Sequence, residues 1–124
     1  MGLNLTRKYS INFSLPKRLK KQIKFVIIHY TGMKKETEAI KRLCNPKTKV
    51  SSHYFISKKG GIFNLVPDLY EAWHAGESRW KDYKSLNKHS IGIEINNPGH
   101  EHGYEKFSKK QIFSLIKLLK HLKK

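Results

Sequence analysis

The clearest structural signal in the chain is the run Lys24-Phe25-Val26-Ile27-Ile28-His29-Tyr30, which is apolar until it ends in a histidine and a tyrosine. Apolar residues at consecutive positions fall on both faces of a strand, which is typical of a central strand covered on both sides. Thr31-Gly32 then breaks the pattern. The run therefore predicts a buried central strand with His29 at its carboxyl end.

Between this strand and residue 89 the pattern predicts a helix, a hairpin and a loop. Apolar residues recur at helical spacing after Glu36, and Asn45-Pro46 ends that helix. Two short apolar runs within residues 51–66 flank the turn-forming Lys58-Lys59-Gly60-Gly61, which indicates a β-hairpin. Residues 70–89 are rich in aromatic side chains but have no periodic pattern, which predicts a long functional loop.

The last part of the chain predicts a strand and a helix. Residues 90–96 alternate, with three isoleucines on one face and Gly92 and Glu94 on the other. The helix that follows begins with a capping box of Ser108 and Gln111. Its predicted apolar stripe consists of Ile112, Leu115, Ile116, Leu119 and Leu122.

The order of these elements predicts one α/β domain, in which helices flank a mixed central β-sheet. We place this domain at residues 23–124, and residues 1–22 are predicted to form an irregular basic arm. The chain has 124 residues, enough for one small domain and not for two.

Most of the net charge of +17 lies in the two flanks of the sequence, and the stretch between them carries only +3. Residues 1–24 and 106–124 contain no acid, and all nine acids lie between Glu36 and Glu105. Two interpretations are open: a solvated lysine-rich surface, or attraction to an anionic polymer such as cell wall. No nucleic-acid-binding motif accompanies the charge, so nucleic acid is not expected as a partner.

Several other classes are excluded by what the sequence lacks. Its single cysteine, Cys44, rules out an internal disulfide framework. No apolar run reaches the roughly 20 residues of a membrane-spanning helix. The absence of a secretory signal predicts a cytoplasmic protein, with the cell envelope as the alternative.

Three residues are candidates for chemistry. His29 lies where α/β sheets place their ligands, and its role is either metal binding, catalysis or structure. Apolar surroundings would raise the pKa of Glu94 into the range of a general acid or base, whereas the alternative is a carboxylate on a solvated sheet face or in an ion pair. Small residues flank His74, so either a ligand approaches it or its ring bonds a loop carbonyl.

The remaining histidines carry weaker signals. His53 lies in a strand, which favours a structural or supporting role. His100 and His102 have the spacing of a metal-binding pair, but they follow Pro98-Gly99 in a polar loop. Because zinc hydrolysis needs three protein ligands and a base, the residues by themselves indicate only part of a site.

The chain resembles the type 2 N-acetylmuramoyl-L-alanine amidases, zinc enzymes of bacterial cell-wall turnover whose general fold is shared with peptidoglycan recognition proteins. The resemblance rests on a series of short runs that occur in the order of the family. These runs are Val26–Met33, Lys49–Tyr54, Leu65–Pro67, Ala72–Gly76 with Trp80, Leu86–Asn87, Ser90–Ile95 and Asn97–His100.

The resemblance implies hydrolysis of the amide between N-acetylmuramic acid and L-alanine in peptidoglycan or muropeptides. It implies that His29 is the first zinc ligand, that Glu94 is the general base and that His53 supports the site. The implied substrate contacts are Tyr30, Trp73, His74, Ala75, Gly76 and Asn97. The alternative function is a module that binds muropeptides without catalysis.

The chain departs from the family pattern after the helix that matches Ser108–Lys123. In the family a further strand and loop follow this helix, and they carry two more zinc ligands and a lysine. Neither is in this sequence. We therefore expect one of three zinc ligands, and an exposed sheet edge or apolar patch that promotes association. The site is then either incomplete or completed by a partner chain.

Overall fold

The computed structural model describes residues 3–76, 79–80, 83–99 and 105–123. Short 3-10 helices lie at Lys20–Gln22 and Leu86–His89. The α-helices are α1 (Glu36–Cys44) and α2 (Lys109–Leu122). The strands are β1 (Thr6–Arg7), β2 (Phe13–Ser14), β3 (Phe25–Tyr30), β4 (Tyr54–Ile56), β5 (Ile62–Asn64), β6 (Glu71–Ala72), β7 (Arg79–Trp80), β8 (Tyr83–Lys84) and β9 (Ser90–Ile95).

The centre of the fold is a five-stranded sheet with the order β1-β5-β4-β9-β3. β9 runs parallel to both β3 and β4, whereas β4 and β5 form an antiparallel hairpin. Helix α1 packs on one face of the sheet against Phe55 and Leu65. Leu118 of α2 packs on the other face, in the core that contains the isoleucines of β9. This arrangement confirms the predicted α/β class, with a mixed sheet between helices.

The elements with strong local patterns are confirmed. Helix α1, the β4–β5 hairpin and β9 lie where the sequence predicted them. Helix α2 begins with the predicted capping box, because the Gln111 backbone N–H donates to Ser108 Oγ at 3.1 Å and Gln111 Oε1 accepts from Ser108 N–H at 3.0 Å. Within the described ranges, no helix is long and apolar enough to cross a bilayer.

The predicted apolar stripe of α2 is partly wrong. Ile112 and Ile116 are about half exposed, whereas Gln111 and Ser114 are buried beside Leu118. The reason is polar anchoring. Gln111 Nε2 donates to Asn96 O at 2.8 Å and Ser114 Oγ donates to Gly60 O at 2.6 Å, and both bonds turn this side of the helix towards the sheet.

The prediction that β3 is a central strand is wrong. β3 lies at the edge of the sheet, and among the described residues its only partner is β9. Ile27 and His29 are partly buried on the α1 face, while Val26, Ile28 and Tyr30 on the other face are 40–48% exposed. An apolar run of this kind is typical of a strand covered on both faces. In β3, the described elements cover only the face towards α1.

We expect this edge to cause self-association. A strand edge without a partner, next to exposed apolar side chains, is a template for pairing with another chain. Ile28→Lys should therefore increase the monomer fraction in light scattering at high protein concentration. Thr37→Lys on the exposed surface of α1 adds the same charge elsewhere and is the matched control. A wild-type chain that stays monomeric at high concentration would contradict this expectation.

Part of the basic arm is regular. Within residues 1–22, β1 pairs parallel with β5 and β2 pairs antiparallel with β6. Arg18 is 8% exposed, so this arginine is part of the packed domain and not of a solvated arm. The domain boundary at residue 22 stays a prediction.

Candidate active site

The carboxyl ends of β3 and β9 bring the two strongest candidates together. His29 and Glu94 are direct register partners in this parallel pair, so their side chains lie side by side on the face covered by α1. Glu94 is also the register partner of Phe55 on β4. Alternation along β9 was sufficient to predict the face of Glu94, but not that His29 is its neighbour.

A series of hydrogen bonds leads from His29 into the interior of the protein. Nε2 of His29 lies 3.1 Å from Nδ1 of His74, and Nε2 of His74 lies 3.1 Å from Oγ of Ser90. The Ser90 hydroxyl donates to Leu86 O at 2.7 Å. The two histidine rings meet edge to face, with centroids 5.3 Å apart.

The bond from Ser90 to Leu86 determines which ring nitrogens carry the protons in this series of hydrogen bonds. Because the Ser90 hydroxyl gives its proton to Leu86 O, Ser90 Oγ must accept from Nε2–H of His74. Nδ1 of His74 is then unprotonated and accepts from Nε2–H of His29. Nδ1 of His29 therefore keeps its lone pair.

His53 is fully buried next to this series of hydrogen bonds. Its Nδ1 accepts from the Gly92 backbone N–H at 3.0 Å, so Nε2 carries the proton and donates to Tyr70 O at 2.7 Å. Burial lowers the pKa of His53 to about 4, against a smaller opposing effect of the Tyr70 bond. Its ring lies 6.0 Å from that of His74, centroid to centroid. This placement agrees with a supporting role, which stays a prediction.

Burial disfavours the charged form of the other two imidazoles as well. It lowers the pKa of His74 to about 3, with smaller contributions from His53, His29 and Arg18. Burial also lowers the pKa of His29. A neutral imidazole with a free nitrogen is the form that binds a metal ion.

Glu94 has the electrostatics of a general base. Burial raises the pKa of its carboxyl to about 7, and the positive charge of Arg42 on α1 opposes this effect only in part. A carboxyl that titrates near neutral pH can both accept a proton from water and return it.

The segment Trp73–Gly76 is held beside these residues by its backbone. Asn87 Oδ1 accepts from the N–H groups of His74, at 3.1 Å, and Ala75, at 2.8 Å. Trp73 Nε1–H donates to Ser14 Oγ at 2.7 Å. Both ring nitrogens of His74 are engaged inside the protein, so the ring lies behind His29. Substrate contacts from this segment stay a prediction.

The two other predicted substrate contacts have structural partners. Asn97 is 2% exposed, its Nδ2 donates to Glu105 O at 2.7 Å, and its Oδ1 accepts from Gly99 N–H at 2.9 Å. Tyr30 packs on Gly99, where an added Cβ would lie 2.6 Å from its ring. By strand alternation Tyr30 is on the face opposite His29. Their roles as substrate contacts stay predictions.

Sequence reasoning assigned no role to Arg18, which connects the arm to the site. Its Nη1 donates to Asn87 O at 3.0 Å and to Ser90 O at 2.8 Å, and its Nη2 donates to Asp68 O at 2.5 Å. Arginine supplies several donors in a fixed fork, which lysine cannot do. Arg18 is one of two arginines in the lysine-rich arm, so residue type alone did not single it out.

The described residues supply part of a metal site. His29 presents one free nitrogen, and Glu94 is the carboxylate beside it. The described ranges contain no group of three His, Cys, Asp or Glu residues arranged to hold a metal ion. His100 and the side chain of Trp80 lie outside the described part of the chain.

A histidine and a basic carboxylate at the carboxyl ends of adjacent parallel strands are two of the groups that a metal-assisted hydrolase uses. Residues 19–124 match the N-acetylmuramoyl-L-alanine amidase family, and the chain belongs to that family. Enzymes of this family depend on zinc in general.

The relatives are bacterial amidases. The chain is 35% identical to N-acetylmuramoyl-L-alanine amidase AmiD of Escherichia coli K12, over 82% of this chain and 40% of AmiD. It matches the structure of AmpDh3 from Pseudomonas aeruginosa with a TM-score of 0.73 and 31% identity, over 82% of this chain and 44% of AmpDh3. These matches confirm the predicted family and fold. The chain spans less than half of either relative.

A third match shows what one relative binds. The structure of E. coli AmiD contains the substrate anhydro-N-acetylmuramic acid-L-Ala-D-gamma-Glu-L-Lys. It matches this chain with a TM-score of 0.72 and 34% identity, over 82% of this chain and 43% of AmiD.

Proposed function

We propose that this chain acts in zinc-dependent hydrolysis of the amide between N-acetylmuramic acid and L-alanine, in peptidoglycan or muropeptides. The observation that carries this proposal is the pairing of His29 with Glu94 in register across β3 and β9. The first has a free nitrogen, and burial raises the pKa of the second to about 7. The bound substrate of AmiD, an anhydro-muropeptide, supports the same substrate class.

The residues of the chain divide the work as follows. Nδ1 of His29 would hold the zinc ion, which when bound polarises the carbonyl and lowers the pKa of water. Glu94 takes a proton from the attacking water as the water oxygen bonds to the amide carbon. Glu94 then returns this proton to the L-alanine nitrogen, so that the C–N bond breaks and a free amine leaves.

The remaining zinc ligands come, in this proposal, from a further strand that pairs with the edge of β3 opposite β9. Two features support this. β3 has a single partner among the described residues, and His29 lies on that edge strand. A strand paired there would bring its own side chains next to His29.

The excess positive charge fits the substrate. Stem peptides carry carboxylates, and lysine or arginine side chains attract them through charge and hydrogen bonds. In this proposal the net charge of +17 raises the local concentration of an anionic substrate. Binding should therefore weaken as the salt concentration rises.

Mass spectrometry of muropeptides incubated with the protein and zinc tests the function. We expect free stem peptide, no release in the presence of a chelator, and no release by Glu94→Ala. Release that persists in Glu94→Ala would contradict the assigned base. If the folded, zinc-supplied chain releases nothing but binds muropeptides without zinc in calorimetry, the non-catalytic binding module is the correct function.

A further inference from the structure

We propose that His74 is a positioning residue, which holds His29 as the Nε2–H tautomer and so presents Nδ1 to the ligand. The inference concerns the arrangement of His29 in the protein itself, and only its catalytic purpose rests on the proposed function. Three independent observations support it: the hydrogen bonds of the His74 ring, the packing of this ring on β9, and the hydrogen bonds that hold the His74 backbone.

The hydrogen bonds run in one direction. Leu86 O takes the proton of Ser90 Oγ, which leaves Ser90 able only to accept from His74. His74 can then only accept from His29. The carbonyl of Leu86 thus determines the tautomer of His29 across two side chains. Because the rings are largely buried, a broken bond in this series would not be replaced freely by water.

The ring of His74 packs against Gly92 of β9 so closely that no other residue fits at position 92. A Cβ added to Gly92 would lie 2.4 Å from Cγ of His74 and 2.5 Å from its Cδ2. Real Cβ atoms do not approach other atoms this closely, so glycine is required under the ring. Gly92 stands directly between Ser90 and Glu94 on the same face, which places the ring against the site.

The backbone of His74 is fixed from the other side. Asn87 Oδ1 accepts from the N–H groups of His74 and Ala75. Arg18 donates to the carbonyls of Asn87 and Ser90, which are the residues that hold the backbone and the ring of His74. The backbone and the ring of His74 are therefore held by Asn87 and Ser90, and Arg18 binds the carbonyls of both.

A hydrogen-bond partner on the second nitrogen of a metal-binding histidine sets its tautomer and ring orientation, and its loss typically lowers metal affinity about 10- to 100-fold. We therefore expect His74→Phe, which keeps the ring volume but has no acceptor, to lose the single tautomer of His29. His74→Asn retains an acceptor oxygen near the position of Nδ1 and should restore it.

The test is ¹⁵N-detected histidine NMR on the metal-free protein. Wild type and His74→Asn should show His29 protonated at Nε2 alone, whereas His74→Phe should show a mixture. Zinc titration followed at His29 should show affinity about 10- to 100-fold lower in His74→Phe. His121→Gln on the exposed side of α2 should change neither signal.

An unchanged tautomer and unchanged zinc affinity in a folded His74→Phe would overturn the proposal. If that variant does not fold, Ser90→Ala is the second test, because it removes the acceptor for Nε2–H of His74 and should also produce a mixture at His29. Failure of muropeptide hydrolysis would leave these spectra intact. Failure of the spectra would overturn the role of His74 and leave the proposed hydrolysis standing.

Discussion

Glu94→Gln is expected to remove hydrolysis and, in the metal-free chain, to increase the free energy of unfolding above neutral pH. The loss of rate follows from the role of the carboxylate as proton acceptor, for which the typical contribution is about 10²- to 10⁴-fold. Glutamine has nearly the same shape and cannot take the proton. The gain in stability follows from the same burial that makes the carboxyl basic.

The sign of the stability effect follows from the two pKa values. The pKa of Glu94 is about 7 in the folded chain and 4.5 in its ordinary state, so the folded state favours the protonated form. The folded state loses stability as the pH rises from 4.5 through 7, by about 3 kcal/mol in total. Glutamine avoids this loss, so its advantage is about 3 kcal/mol at pH 8 and close to zero at pH 4.

Urea unfolding in the presence of a chelator, at several pH values between about 4 and 8, measures this difference. Glu38→Gln removes an exposed carboxylate from α1 and should change stability little at any of these pH values. Equal stability of wild type and Glu94→Gln at pH 8 would show that the carboxyl of Glu94 is not held in a costly ionised state.

Arg18→Met is expected to destabilise the chain by about 3 to 5 kcal/mol, because it leaves one buried and two partly buried carbonyl acceptors without their donor. Methionine fills much of the volume, so the effect reports the guanidinium rather than a cavity. Arg18→Lys keeps the charge but offers one ammonium in place of a fork, and its loss should be intermediate.

Arg7→Met is the matched control for Arg18→Met, since it makes the same chemical change at an exposed position of the same arm. Urea unfolding gives the magnitude, and hydrogen exchange at the amides of Ala75 and Gly92 locates the effect. Both amides should exchange faster in Arg18→Met, because the cluster around Asn87 and Ser90 loosens. Equal destabilisation by the two substitutions would refute a specific role for Arg18.

The candidate site was predictable only in part. Alternation along β9 indicated a partly buried carboxylate at Glu94, and the strand end indicated His29. The resemblance to the amidases added the family and the zinc ion. It implied a substrate contact at His74, which stays a prediction, and it gave no sign that both ring nitrogens of His74 lie within hydrogen-bond distance of Ser90 and His29. No local pattern distinguishes a histidine that faces a ligand from one that holds another histidine.

The sequence by itself determined the elements whose causes are local. Helix α1, the β4–β5 hairpin, the alternation of β9 and the capping box of α2 depend on residues a few positions apart, so their periodicity and turn chemistry are visible in the sequence. The edge position of β3, the anchoring by Arg18 and the packing of His74 on Gly92 were decided by the tertiary structure alone. These features join residues 18 to 72 positions apart, and such pairings exist only once the sheet has brought the segments together.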